Sequence, residues 1–474
     1  MEADLVVVGA GAAGIGAARA ARRRGASVAL VEDGPVGGDC TFTGCIPSKA
    51  VLEATARGQG FHDAMNEARR AVATVAASES APVIRAEGIA VIEGHACFID
   101  RRTLDVDGHR VSAGGFIVAT GAGPAVPPIS GIDTVPYLTN ENLFELGSLP
   151  RSLAVLGGGP IGVEMAEAFS RFGAEVTIVE AASQLLPREE PLAAQVLAQE
   201  FTELGITIRA GSAVQKVERQ GSGGVTLSLA DGSSVDAEAL LVAVGRRPAT
   251  DGLGLESAGV EVDARGFVKV DSRMRTTARG IFAAGDVAQP LQFTHVADET
   301  GRIAAANALS KVAVRRFKAE SVPWVTFTDP EVARVGLTEA EAVAHGGRVA
   351  YLPMTEVDRA IAAGRTRGFV KIIAGPRPLL RSLAGGRILG ATIVAPRAGE
   401  MIQEVVLAMR AGMFPARLAL TTHAYPTWSA AVQQAAAQFF GEFGGRTSRP
   451  ARADANDGLA TSHVGASPTE MEQP

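Results

Sequence analysis

Short unbroken apolar runs, each closed by glycine, punctuate the first half of the chain. Val6-Val7-Val8 is the first, ending in Gly9-Ala10-Gly11-Ala12-Ala13-Gly14. An alanine-rich segment of helical character follows to about Arg24, then Gly25, then a second run, Ser27–Val31, closed by Glu32. The pattern predicts strand, glycine turn, helix, strand, acid. Glycines at such a turn let the backbone approach a pyrophosphate at a helix N-terminus, and an acid ending the second strand can accept hydrogen bonds from a ribose. One such motif in a glycine-rich chain is weak evidence.

The motif occurs twice. Leu153–Leu156 leads into Gly157-Gly158-Gly159-Pro160-Ile161-Gly162, a helical run reaches Phe172, and after Gly173 the stretch Glu175–Val179 ends at Glu180. The last glycine of the motif lies 18 residues before the acid in both copies (14 to 32, 162 to 180), and the glycine after the helix lies 7 before it (25 to 32, 173 to 180). Two dinucleotide-binding units are expected. Gly115–Gly121 reads as a buried strand ending in a turn, with Leu240–Pro248 as its counterpart in the second unit. Gln215–Leu229 and Ser234–Ala239 read as an antiparallel excursion, with Asp231-Gly232 as a hairpin signal. Residues 274–286 read as a further strand ending in Gly285-Asp286, followed by a helix from about His295 to Leu309. Beyond Val322 no glycine fingerprint recurs. Strands at Val325–Thr328, Gly368–Ile373 and Ile388–Val394 and helices at Gly399–Ala411 and Ser429–Phe440 predict a third, α+β domain. Residues 444–474 carry almost no apolar pattern and are expected to be disordered.

Composition narrows the classes. The 474 residues suggest about three domains, and a hydrophobic content of 47% supplies their cores. A net charge of −6 offers no electrostatic reason for a nucleic-acid partner. No apolar run reaches membrane-spanning length free of Gly, Pro or charge. Acids stand at Glu2 and Asp4 where a signal peptide carries cations. Three cysteines do not make a secreted disulfide framework. A cytoplasmic protein is the expectation.

Two of those cysteines, Cys40 and Cys45, fall in Gly37-Gly38-Asp39-Cys40-Thr41-Phe42-Thr43-Gly44-Cys45-Ile46-Pro47-Ser48-Lys49. In a regular helix this spacing sets the side chains roughly 140° apart, so a disulfide, which needs Cα atoms within about 7 Å, requires a bend that Gly44 can supply. Pro47 suits a first helical turn, which places Cys45 beside a helix N-terminus, where thiolate is favoured. The residues read as a redox-active pair, and they are also compatible with an inert buried pair. A zinc site is disfavoured, because only Cys97 remains and no second close pair exists.

Two dinucleotide units, a C-x₄-C-x-P-x-K run after the first, and a closing third domain together resemble the flavoprotein disulfide reductases, the pyridine nucleotide-disulfide oxidoreductases that include dihydrolipoamide dehydrogenase, glutathione reductase and mercuric reductase. The resemblance spans roughly residues 4–443. It implies two Rossmann-like FAD/NAD(P)-binding domains and a C-terminal α+β dimerisation domain: 1–145 for FAD with the redox disulfide, 146–268 for NAD(P), 269–321 returning to FAD, 322–443 as interface, and 444–474 as tail. It implies FAD on Gly9, Gly11, Gly14 and Glu32, with Thr120-Gly121 as a second contact and Gly285-Asp286 at the ribityl chain. NADH is implied on Gly157, Gly159, Gly162 and Glu180, since Glu180 would repel the 2′-phosphate of NADPH. Cys45 matches the thiolate facing the flavin and Cys40 the one attacking substrate, and an inert pair is not expected beside two dinucleotide units. Lys49, the sole lysine before Lys216, matches the ammonium beside the flavin, ion-paired to Glu164.

One part of the resemblance fails. Disulfide-reducing members end in His-Pro with Glu five residues after the His. Here Tyr425 stands at the His position and Ala430 at the Glu position, with His423 two residues away. Mercuric reductase shares the Tyr but adds a C-terminal cysteine pair, and residues 444–474 contain no cysteine. The expected activity is electron transfer from NADH through flavin and a Cys40–Cys45 disulfide to a small-molecule acceptor (disulfide, metal ion or quinone). The expected protein is a homodimer with Tyr425 near the partner's Cys40 and no resident metal. The alternatives are a dihydrolipoamide dehydrogenase-type reductase using His423, and a slow flavin redox sensor.

Overall fold

Leu5 and Val7 face one side of the strand Glu2–Val8, Val6 and Val8 the other, and all four are buried. A parallel strand covered on both faces must be apolar at successive rather than alternate positions, which is why this segment reads as a continuous run. Leu5, Val7 and Leu30 pack with Ala17 and Ala21 of the helix Ala12–Arg22 and with Ile303 and Ala304 of the helix Thr294–Ala308. Val6, Val8 and Val31 pack with Phe98, Leu104 and Val106 of an antiparallel layer on the opposite face.

The computed structural model describes residues 2–221, 223–310, 315–377 and 383–454. They divide into two compact units, one built from Met1–Pro187, Ala198–Val322 and Thr326–Thr328, the other from Arg188–Leu197, Pro323–Val325 and Asp329–Pro474. In the first unit a seven-stranded sheet contains a parallel set in the order Ala90–Glu93, Val28–Glu32, Glu2–Val8, His109–Val118, with Ile281–Ala283 also parallel to His109–Val118. A second, four-stranded parallel sheet has the order Thr207–Ala210, Glu175–Glu180, Ser152–Leu156, Ala239–Val242. Both sheets place the first strand centrally, with the second and third on one side and a returning strand on the other. That reversal opens a crevice at the carboxyl ends of the strands, where both glycine motifs lie.

The structure refines the sequence reading at several points. Gln215–Leu229 is two strands, Val214–Arg219 and Val225–Leu229, because Gly223 and Gly224 at positive φ turn the chain between them. With Ser234–Ala237 they form an antiparallel sheet whose Val217, Leu227 and Val235 cover Leu156 and Val242 of the second parallel sheet. Of residues 274–286 only Ile281–Ala283 is strand, since Met274 sits in a turn at φ 64°. In the second unit Glu331–Gly336 and Arg348–Pro353, which the apolar pattern did not mark, pair with Arg387–Ala395 and Phe369–Gly375 respectively. Finally, the segment expected to lack order contains Arg449–Pro450, paired antiparallel to Arg348-Val349; the remainder of that expectation, 455–474, lies outside the described residues.

Two strands of the second unit carry buried charge, Lys371 in Phe369–Gly375 and Arg334 in Glu331–Gly336. Lys371 is fully buried with Nζ 3.0 Å from Glu190 and 2.9 Å from Glu339, and Arg449 closes the network on Glu339 with Nη2 donating at 3.1 Å. Arg334 donates to Glu189 at 2.9 Å and stacks 4.3 Å from the Trp324 ring centroid. Buried charges of this kind are tolerated only as complete sets. Among the described residues no helix is long and apolar enough to cross a membrane.

Candidate active site

The two glycine loops of the first unit are built alike. Gly9 and Gly157 have φ +100° and +109°, and a Cβ on either would strike backbone oxygen, Ala119 O at 2.4 Å and Ala243 O at 2.6 Å. A Cβ on Gly14 or Gly162 would meet the carbonyl oxygen of the first glycine in its own loop, at 1.8 and 2.0 Å. The helices that follow start from Gly11 and Gly159 with no side-chain cap, so their first N–H groups remain available to an anion. Glu32 accepts from Ala10 N and, at 3.0 Å, from Gly34 N. Glu180 accepts from Gly158 N and Ala182 N, both at 2.7 Å. Each acid thus braces its own loop and keeps lone pairs for a ribose hydroxyl. Burial raises the Glu32 carboxyl against the pull of those two N–H donors.

The cysteine motif is two helices with a break. Gly38–Phe42 ends at Thr43, and Cys45–Ala56 begins after Gly44. A Cβ on Gly44 would lie 2.9 Å from Asp39 O and 3.3 Å from Cys40 Cα, so the chain folds back on Cys40 at the one residue able to pass. Cys40 and Cys45 are free thiols in the structure, and they share one proton unequally. The hydrogen bond with Cys45, then burial, push the Cys40 thiol far above its usual range. The same hydrogen bond pulls Cys45 down to about 6 against burial, aided by Thr294, whose Oγ1 is 3.2 Å from Cys45 Sγ, and by Lys49. Cys45 occupies the first turn of its helix, as expected, and carries the charge.

A thiolate exists above its pKa, so Cys45 is expected to stay ionised from neutral pH down to about 6 and to protonate below it. In reduced protein, alkylation of Cys45 by iodoacetamide, resolved from Cys40 by mass spectrometry, should show a midpoint near pH 6 and fall about tenfold per unit below it. A midpoint near the ordinary thiol value would contradict this arrangement.

Lys49 Nζ donates to Glu164 Oε2 at 2.7 Å and lies 4.7 Å from the Phe327 ring centroid. Glu164, almost wholly buried, also accepts from Phe327 N at 2.9 Å. Both carboxylate oxygens are satisfied, and the ammonium is held in place beside the Cys45 helix. Four residues not singled out from the sequence complete the site: Asp39, Arg246, Asn140 and Thr294. Arg246 donates to Asp39 and Ala122 O, and its Nε stands 3.6 Å from Asp286 Oδ2. Burial raises the Asp286 carboxyl, Arg246 opposes that, and Asp39 adds to it. Arg246 follows the glycine turn after Ala239–Val242, a position the repeat could have flagged. Asp39 lies inside the cysteine motif, where cysteine chemistry accounts for the stretch without it.

These residues fit the dinucleotide that the first unit implies. The Gly9–Gly14 loop admits no Cβ at its first and last glycines, and Arg246 Nε is buried without a hydrogen-bond partner, a donor suited to an anionic group. Thr120 Oγ1 donates to Ala249 O at 2.6 Å and Gly121 turns at φ +74°, while Gly285, at φ +75°, packs against Ala13. Cys40, Cys45, Lys49, Glu164 and Asp286 are therefore brought together in the first unit with the glycine loop, since Gly38 and Gly11 are in contact.

Tyr425 and His423 lie in the second unit. Tyr425 is 74% exposed and its hydroxyl donates to Asp358 Oδ2 at 2.8 Å. That bond raises the phenol pKa further. His423 is engaged at both nitrogens, Nδ1 with Thr421 O and Nε2 with Glu404 Oε2, each at 2.8 Å. A carbonyl only accepts, so Nδ1 carries a proton and Nε2 is the side that faces the acid. Burial works against the imidazolium, but Glu404 holds it above its ordinary pKa. The sequence lacks a glutamate five residues after Tyr425; the fold supplies one to His423 from the helix Ala398–Arg410.

Comparison with known proteins agrees with this geometry. A family model described as pyridine nucleotide-disulphide oxidoreductase matches residues 3–301, and the dimerisation domain of the same family matches 322–436. The chain is 38% identical over 465 residues to a mercuric reductase of Streptomyces lividans, covering 92% of this chain and 96% of that protein. It is 36% identical over 457 residues to a dihydrolipoyl dehydrogenase of Thermus scotoductus, covering 91% and 96%. Among solved structures it is similar to the Cu(II) complex of the HOCl-induced flavoprotein disulfide reductase RclA from Escherichia coli, with TM-score 0.83, 32% identity, and coverage of 92% of this chain and 99% of that one. Paired glycine loops, a split-proton thiol pair beside a lysine, and matches along nearly the whole length converge, and the chain belongs to the flavoprotein disulfide reductases, the pyridine nucleotide-disulphide oxidoreductase family.

Proposed function

We propose that this oxidoreductase takes reducing equivalents from NADH and delivers them through the Cys40/Cys45 pair to a small-molecule acceptor other than a dithiol-forming disulfide, such as a metal ion or a quinone. FAD, when bound, supplies the two-electron relay between nucleotide and cysteines. The observation that carries the reading is the division of labour within the thiol pair: Cys45 holds the charge next to Lys49 and Thr294, while Cys40 keeps its proton. Gly9, Gly11, Gly14, Glu32, Thr120, Gly121, Gly285 and Asp286 would hold FAD. Lys49, fixed by Glu164, would stabilise charge developing on the cofactor. Gly157, Gly159, Gly162 and Glu180 would hold NADH.

The acceptor class follows from the second unit. His423 is engaged at both nitrogens with its side chain largely buried, whereas Tyr425 stands well exposed with a single bond to Asp358, which favours Tyr425 rather than His423 as the residue offered to a partner's Cys40. Tyr425 and neighbouring apolar side chains such as Leu420, 81% exposed, and Leu407 support a homodimer formed through the domain at 322–436, as the family's dimerisation model suggests. A cytoplasmic location accords with this chemistry.

Glu180 supports NADH as the nucleotide. Its carboxylate, braced by two N–H groups, can accept from a 2′-hydroxyl and repels a 2′-phosphate, and Ala181-Ala182-Ser183-Gln184 offers no cation to offset that charge. Purified protein should be yellow, with about one FAD per chain, and should favour NADH over NADPH roughly tenfold or more in kcat/KM, equivalent to about 1.4 kcal/mol. Steady-state kinetics with a quinone or a metal-ion acceptor measure this. Folded, colourless protein that refuses added FAD would sink the reading, and a preference for NADPH would reverse the nucleotide assignment.

A further inference from the structure

Asp39 stands immediately before Cys40, and three side chains hold its carboxylate. Asn140 Nδ2 donates to Oδ1 at 3.0 Å, Thr43 Oγ1 donates to the same oxygen, and Arg246 donates to Oδ2. Arg246 is itself 17% exposed at the side chain and lies 3.6 Å from Asp286. One buried guanidinium therefore serves two carboxylates, one from the helix that carries Cys40 and one from the turn Gly285–Val287. The groups acting on Cys45 are Cys40 and Asp39 from Gly38–Phe42, Lys49 from its own helix, Thr294 from the helix Thr294–Ala308, and Arg246, which senses the Cys45 charge across the site. Lys49 is already paired with Glu164; Asp286, on the far side of Arg246, completes the set.

We propose that Asp39 is a positioning residue: by pairing with Arg246 it offsets a second buried cation facing the thiol pair, so that Cys45 works beside Lys49, itself tempered by Glu164, without the added pull of a guanidinium that Asp286 alone opposes. The inference rests on the proposed role of the pair and adds a control on it. A guanidinium opposed by Asp286 alone would favour the Cys45 thiolate beyond what Lys49, Thr294 and Cys40 provide. A thiolate made too stable loses nucleophilicity and is a poorer electron donor, and the best attacking thiol has a pKa near ambient pH. Asp39 thus limits the acidity that the rest of the site creates. It also ties the Cys40 helix to the acid matched to the flavin's ribityl chain, through a single side chain.

The test is the pH dependence of Cys45 alkylation in the reduced, FAD-containing protein, resolved from Cys40 by mass spectrometry, with no nucleotide or acceptor present. Asp39→Asn keeps an oxygen for Asn140 and Thr43 but removes the charge. Its midpoint should move to lower pH, so that one pH unit below the wild-type midpoint Cys45 labels roughly threefold or more faster. Asp39→Glu should restore the wild-type midpoint, which a purely structural role would not require. Arg246→Gln leaves Asp39 and Asp286 uncompensated and should shift the midpoint upward, with slower labelling at the same pH, so either variant that folds decides the matter. Unchanged midpoints in Asp39→Asn, or equal shifts in Asp39→Asn and Asp39→Glu, overturn the proposal. Should turnover prove independent of both cysteines, the proposed function fails while this titration still reports on Asp39.

Discussion

Cys40→Ser is expected to lower turnover with disulfide acceptors by on the order of 10³-fold or more, while a long-wavelength thiolate-to-flavin absorption band should already be present in the oxidised variant, because no disulfide forms and the first two electrons added go to the flavin and bleach it. Serine cannot form the mixed disulfide, so the route through the sulfur pair closes at its outer end. The band belongs to Cys45, whose thiolate retains Thr294 at 3.2 Å and Lys49 after the change. The serine hydroxyl can still donate to the Cys45 thiolate, as the Cys40 thiol does, so the band should persist down to about pH 6 in this variant. Cys45→Ser should remove the band altogether. Absorbance spectra during anaerobic titration with NADH, alongside acceptor assays, measure both effects. Full activity of Cys40→Ser with every acceptor would replace the relay by direct transfer from the flavin.

Lipoamide and glutathione disulfide are expected to be poor acceptors, by about 10²–10⁴-fold relative to acceptors that need no proton returned to a leaving thiolate. Tyr425 has an ordinary pKa near 10, raised further by its bond to Asp358, so it donates a hydrogen bond but exchanges protons poorly at neutral pH. His423 has the right chemistry and the wrong engagements: Thr421 O takes Nδ1–H and Glu404 takes Nε2. Comparing Tyr425→Phe with His423→Ala, each with lipoamide and with a quinone or metal acceptor, separates the cases. His423→Ala should leave the ranking of acceptors intact. Robust lipoamide turnover that collapses only in His423→Ala would make this a dihydrolipoamide dehydrogenase-type enzyme with a displaced base.

Local rules carried the sequence a long way. Two glycine loops with equal spacing to an acid point to two parallel sheets because the first and last glycine of each loop tolerate no Cβ, a constraint written into single residues: Gly9, Gly14, Gly157, Gly162. The continuous apolar runs named the strands that are buried on both faces. Gly44 and Pro47 were enough to place Cys45 at a helix start. Lys49 and Glu164 were paired by resemblance, and the structure joins them at 2.7 Å. What local rules could not reach were interactions whose partners lie far apart in the chain. Arg246 meets Asp39 across 207 residues, and neither residue announces the other. Arg334 breaks the apolar pattern of the unmarked strand Glu331–Gly336, while Lys371 lies in a strand the pattern did mark; in both, only the burial of Glu189, Glu190 and Glu339 against them makes those charges tolerable. The same network draws Arg449 into an edge strand from a segment whose composition predicts no order. The acid beside His423 is absent at the expected spacing and comes instead from Glu404, nineteen residues earlier. Apolar periodicity and backbone sterics are properties of neighbouring residues and can be read along the chain; a charge becomes a partner, a clamp or a base only when folding decides what stands opposite it.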